Sequence, residues 1–170
     1  MKKLSTLGII LLGIGTLLSV QAVEFNELAI KVFYLDMIRA LEKANADALC
    51  QNLSEQYVGE ATVVRGRNSS LVHVDKSAAC ANIKARFSEL EQLKKQYGDR
   101  LKIHHKIQVK KINLGETWGN AKAEVEFKHS ASADGKLIIF ENGHSIETLK
   151  YQKNRIVILD SHGTVNIYAR

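Results

Sequence analysis

The sequence predicts an α+β fold in which three helices from the amino-terminal half pack on a strongly curved, mostly antiparallel sheet. Two observations carry this. Apolar residues recur every three or four positions as far as Tyr97 and every second position from Leu101 onward, so helices come first and long strands follow. The segments between strands, residues 65–70, 114–119 and 153–154, are short and rich in turn formers, so consecutive strands can pair as neighbours.

Taken in order, Phe25, Leu28, Ala29, Val32, Phe33, Met37, Ala40 and Leu41 form the apolar stripe of an amphipathic helix of about five turns. Asn45 and Asp47 offer capping oxygens to a short second helix that carries Leu49 and Cys50 and ends at about Leu53. Residues 57–64 and 71–74 read as two short strands. Asp75 or Ser77 caps a third helix with Ala79, Cys80, Ile83, Phe87, Leu90 and Leu93 on one face, and Gly98 stops it.

From there the period is two. Leu101, Ile103, His105, Ile107 and Val109 alternate with Lys102, His104, Lys106, Gln108 and Lys110, and Ala121, Ala123, Val125 and Phe127 alternate with Lys122, Glu124, Glu126 and Lys128. Antiparallel pairing with Lys106 and Gln108 opposite Glu126 and Glu124 makes the lysine stripe part of a solvated charge ladder. Residues 130–135 read as a polar turn. Residues 136–152 form a long strand interrupted at Asn142-Gly143, by either a two-residue hairpin turn or a bulge. Residues 155–168 close the chain, and the unalternated run Ile156, Val157, Ile158, Leu159 predicts a strand covered on both faces.

Residues 1–22 read as a secretory signal peptide. Lys2 and Lys3 precede an uncharged run over residues 4–20, and Val20-Gln21-Ala22 fits a signal peptidase site. The alternative is an uncleaved anchor, which Gly8, Gly13 and Gly15 disfavour as a helix. Export leaves residues 23–170 as one domain, periplasmic or secreted, with no stable membrane insertion. In that compartment Cys50 and Cys80, the only two cysteines, predict a disulfide, the alternative being two separate buried thiols.

The formal charge of +6 falls to +4 without Lys2 and Lys3, and the composition, 45% hydrophobic and 25% charged, excludes disorder. A nucleic-acid face is not expected, because no aromatics interleave with the lysine stripe for base stacking. No Gly-x-Ser-x-Gly elbow and no phosphate loop occurs in the mature chain. No metal is expected either, since the adjacent His104 and His105 point to opposite faces of a strand.

The order of elements, together with the run Ala40-Leu41-Glu42-Lys43-Ala44-Asn45-Ala46-Asp47-Ala48-Leu49-Cys50-Gln51-Asn52-Leu53, resembles the nuclear-transport-factor-2-like superfamily. So do Asp134-Gly135-Lys136, Glu147-Thr148-Leu149 and Asn154-Arg155-Ile156-Val157-Ile158. The resemblance implies a cone whose sheet wraps a cavity roofed by helices. It implies a pocket lined by His105, Phe127, His129 and Ile107, approached by Tyr57, Trp118 and Tyr34. Isomerase-like members use a helix-one tyrosine and a carboxylate base, which map here onto Met37 or Arg39 and onto a displaced Glu60. Dehydratase-like members use a His and Asp pair, for which His105 or His129 with Asp160 are the candidates.

The expectation is therefore a non-enzymatic exported domain that binds a small apolar or anionic ligand, or an envelope protein, without a cofactor. An acid–base enzyme and an envelope assembly component are the alternatives, and a homodimer fits the fold.

Overall fold

The computed structural model describes residues 24–169; the expected signal peptide lies outside them. Helix α1 spans Glu27–Glu42 and is capped by Asn26, whose side chain accepts the Ala29 amide at 2.9 Å. Phe25 precedes the helix and is buried. Helix α2, Ala46–Gln51, is capped by Asn45, and α3, Lys76–Tyr97, by Asp75. Among the described residues no helix is long and apolar enough to cross a membrane.

The strands are β1 (Leu53–Arg65), β2 (Asn68–Asp75), β3 (Leu101–Leu114), β4 (Asn120–Ala133), β5 (Lys136–Gln152) and β6 (Arg155–Ala169). They form one sheet in the order β2-β1-β6-β5-β4-β3, antiparallel throughout except where β1 runs parallel to β6. The predicted α+β architecture is the one observed. The core lies between α1 and the helix-facing side of β4, β5 and β6, where Ile30, Tyr34, Ala123, Val125, Leu149 and Ile158 are buried together.

Four details differ from the sequence reading. Strand β1 starts at Leu53 rather than at residue 57, because Asn52 ends α2 and its carbonyl accepts the Ile158 amide at 2.8 Å, docking Leu53 beside β6. Strand β4 continues through residues 130–133, so the turn to β5 shrinks to Asp134 and Gly135, both at positive φ.

Strand β5 runs unbroken through Asn142-Gly143, with neither a hairpin nor a bulge there. An added Cβ at Gly143 would strike the Thr164 carbonyl oxygen and stand 2.6 Å from the Phe127 ring. The glycine lets neighbouring backbone and an aromatic ring approach where the sheet curves. Finally, the β3–β4 register is two residues away from the expected one. Lys106 faces Lys128 and Gln108 faces Glu126, and a register shift between Val109 and Lys111 brings Lys111 opposite Glu124.

Candidate functional site

Alternation puts the odd-numbered residues of β4, of β5 and of β3 as far as Val109 on the helix-facing side, and there His105 and His129 sit directly opposite each other. Their Nδ1 atoms are 3.0 Å apart, so one ring donates its Nδ1–H to the other. Phe127 stacks on His129 with ring centroids 5.5 Å apart, and Ile107 lies opposite Phe127. Burial, reinforced by His105 and Arg86, lowers the His129 pKa to about 4. Burial also lowers that of His105. Both rings are therefore neutral at pH 7.

Helix α3 roofs this pair loosely: none of its 22 residues is fully buried. The Cys50–Cys80 disulfide ties its second turn to α2, and Arg86 reaches across to Glu141 on β5 in an ion pair while also holding Glu89 at 2.9 Å. Under the roof is a narrow chamber of about 50 Å³ floored by His105 and His129. It shares Leu41, Phe87, Leu90, Ile103 and His105 with an outer cleft of about 700 Å³ between α1 and α3. The chamber combines apolar walls with a few convergent polar groups.

A second polar cluster lies further along β5. The Tyr34 hydroxyl donates to Glu147 Oε2 at 2.7 Å and Ser145 Oγ donates to Oε1 at 3.1 Å. Burial raises the Glu147 pKa against the opposing pull of these two bonds. Burial and the adjacent carboxylate push the Tyr34 phenol far up, and the same two causes raise Tyr57.

The residues named from the sequence thus divide. His105, His129, Phe127 and Ile107 are neighbours, while Tyr34 and Tyr57 gather around Glu147. Asp160 does not join the histidines. It pairs with Thr148, whose Oγ1 donates to it at 2.9 Å, on the face of the sheet turned away from the helices, so the expected His and Asp pair is not assembled. Trp118 is 67% exposed at the β3–β4 turn and packs its edge on Tyr151 and Phe25, toward the other end of β4 from His129.

The sequence reading missed three ionisable residues on the inner side, Arg86, Glu141 and Glu147. Both glutamates share strand parity with buried Ser145 and Leu149, which is the signal that could have found them. Among the described residues no three His, Cys, Asp or Glu side chains converge as ligands for a metal ion.

No family model matches the chain, and no curated protein does. Solved structures share its architecture. A conserved protein of Planctomyces limnophilus superposes with a TM-score of 0.58 at 14% identity, over 84% of this chain and 97% of that one. A nuclear-transport-factor-2-like protein of unknown function from Shewanella oneidensis gives 0.55 at 15%, over 80% and 96%. The beta subunit of the benzoate 1,2-dioxygenase of Burkholderia mallei gives 0.58 at 9%, over 82% and 90%. The chain has the nuclear-transport-factor-2-like fold. That fold hosts unrelated activities, so the function rests on the site.

Proposed function

We propose that this chain is an exported, non-enzymatic domain that binds a small apolar molecule carrying one polar group in the cleft beneath α3. The observation that carries the reading is the neutral His105–His129 pair at the floor of an apolar-walled chamber. Joined through Nδ1, the two rings leave one Nε2 as an acceptor and the other as an N–H donor, so the floor offers both hydrogen-bonding roles without charge. At the chamber itself Arg86 is already matched by Glu141 and Glu89.

Export is supported by the leading segment of residues 1–22 and by the disulfide, and the compartment proposed is the periplasm or the exterior. The His–His hydrogen bond also favours a second reading, an acid–base enzyme, although without Asp160 in it.

Intact mass spectrometry of the protein purified from its own source tests the first reading. The expected result is a chain starting at Val23, two hydrogens light, with an added small-molecule mass that persists under native conditions and leaves on denaturation. A mass that retains residues 1–22 overturns export. Turnover of any substrate that disappears in His105→Ala overturns the non-enzymatic reading in favour of the second.

A further inference from the structure

The two free edges of the sheet are built differently. At one edge, β3 carries Lys102, Lys106, Lys110 and Lys111 and is interrupted by the register shift after Val109, devices that keep a free strand from pairing with another chain. At the other edge, β2 has neither. Its pairing with β1 is regular, its residues 68–74 include no lysine, arginine or carboxylate, and all but Val74 of the strand is exposed. Leu71 is 58% exposed on the face turned away from the helices and Val72 38% exposed on the other, so neither face of β2 is covered.

The backbone of β2 is open as well. Gly66 and Arg67 form a two-residue turn closed by Arg65 and Asn68, so those closing residues exchange hydrogen bonds and the ladder alternates from there. Asn68, Ser70 and Val72 therefore bond to β1, while the amides and carbonyls of Ser69, Leu71 and His73 point off the edge of the sheet. Among the described residues no other segment bonds to them.

We infer that β2 is the surface by which this chain pairs with a second copy of itself, strand against antiparallel strand, so that two six-stranded sheets join edge to edge. The sequence of the strand selects this occupant. A two-fold axis through Leu71 puts Leu71 opposite Leu71 of the second copy, Ser70 opposite its Val72, Ser69 opposite its His73 and Asn68 opposite its Val74. One step further it puts Arg67 opposite Asp75. Both of these are exposed, and symmetry makes the pair twice. Asp75 caps α3 through Oδ1, which accepts the Ala78 amide at 2.8 Å, and its Oδ2 is left for the guanidinium. The ends are thus complementary in charge, and the stretch between them brings no like charges together. The two Leu71 side chains cover each other from water. The histidine chamber takes no part in this contact.

Sedimentation equilibrium of the purified protein at concentrations up to about 100 µM tests the pairing. The expected result is a reversible monomer–dimer equilibrium. Leu71→Pro removes an amide that faces off the edge, so circular dichroism should stay that of the wild type while the dimer is lost. Leu71→Lys and Leu71→Glu each set like charges across the axis and should sediment as monomers. Because neither touches the backbone, they keep the test decisive if Leu71→Pro does not fold. An equimolar mixture of the two charged variants should associate about tenfold more tightly than either alone, since lysine then faces glutamate. A monomer throughout the range overturns the self-pairing and leaves the edge to a strand of another protein. A dimer that survives a folded Leu71→Pro, or that is equally strong in both charged variants and in their mixture, overturns it too, because such a dimer uses another face.

Discussion

At the scale of single residues the buried titratable groups set the pH dependence of this protein, and they act in opposite directions. His129 has a folded-state pKa of about 4, below the ordinary value near 6.5, because burial disfavours its charged form. Between those two values the unfolded chain binds a proton that the folded one refuses. The contribution of His129 is therefore fully present above pH 6.5 and lost as pH falls through 4, a loss on the order of 3 kcal/mol. Thermal melts of the wild type from pH 7 to 4 should show a steep fall in Tm that is shallower in His129→Leu. Glu147 has the opposite sign. Its raised pKa means the folded state favours the neutral carboxyl, so its contribution holds at low pH and is lost as pH rises through the folded-state value. Glu147→Gln mimics the neutral form and should raise Tm at pH 8 more than at pH 5. Tyr34→Phe removes one of the two hydroxyls that hold Glu147 and should cost about 1–3 kcal/mol by the same melts. The histidine pair was legible in the sequence because both residues stand at inward parity in clear alternating runs. Asp160 was misjudged because residues 156–159 do not alternate, which leaves the parity of the following residue open.

At the scale of elements the contrast is between a tightly built sheet and a loosely held roof. Strands β4 and β5 bury Ala121, Ala123, Val125, Ala131 and Leu149, whereas α3 has the length of a major helix and no fully buried side chain. It is tied down by the disulfide in its second turn and by the ion pairs of Arg86 with Glu141, Lys76 with Glu55 and Lys84 with Asp47. The bond closes a loop of 30 residues, for which chain-entropy arithmetic gives a stabilisation of about 3–4 kcal/mol. Cys80→Ser should lower Tm accordingly, and hydrogen exchange should show residues 76–97 losing protection while β4 and β5 keep theirs. Each helix and nearly every strand could be read from periodicity and caps. The β3–β4 offset could not, because a shift of two residues leaves every side chain on the same face, so the apolar pattern constrains only the parity of the register. The continuity of β5 through Asn142-Gly143 was hidden for a related reason: the dipeptide usually marks a turn, and only the packing of Phe127 and Thr164 against Gly143 makes it part of a strand.

At the scale of the whole molecule the corrected register changes the electrostatics of the sheet face turned away from the helices. The expected ladder would have matched Lys106 with Glu126, but Glu126 is engaged by Lys110 at 3.3 Å, and Lys106 stands opposite Lys128. Two like charges directly across a strand pair are destabilising, and here they leave an uncompensated basic patch beside Lys102 and His104. The patch has no interleaved aromatics, so its attraction to polyanions should be diffuse and easily screened, over a range of about 8 Å at physiological ionic strength. Lys106→Glu replaces the like-charged pair with an opposite one and reduces the net charge by two. It should raise stability by about 0.2–1 kcal/mol and make the protein elute from a cation exchanger at lower salt. An unchanged elution position together with an unchanged Tm would mean that other groups neutralise this face. A drop in Tm would mean that Lys106 has a stabilising role of its own, and the register would then carry a cost that the pairing of Lys106 with Lys128 does not explain.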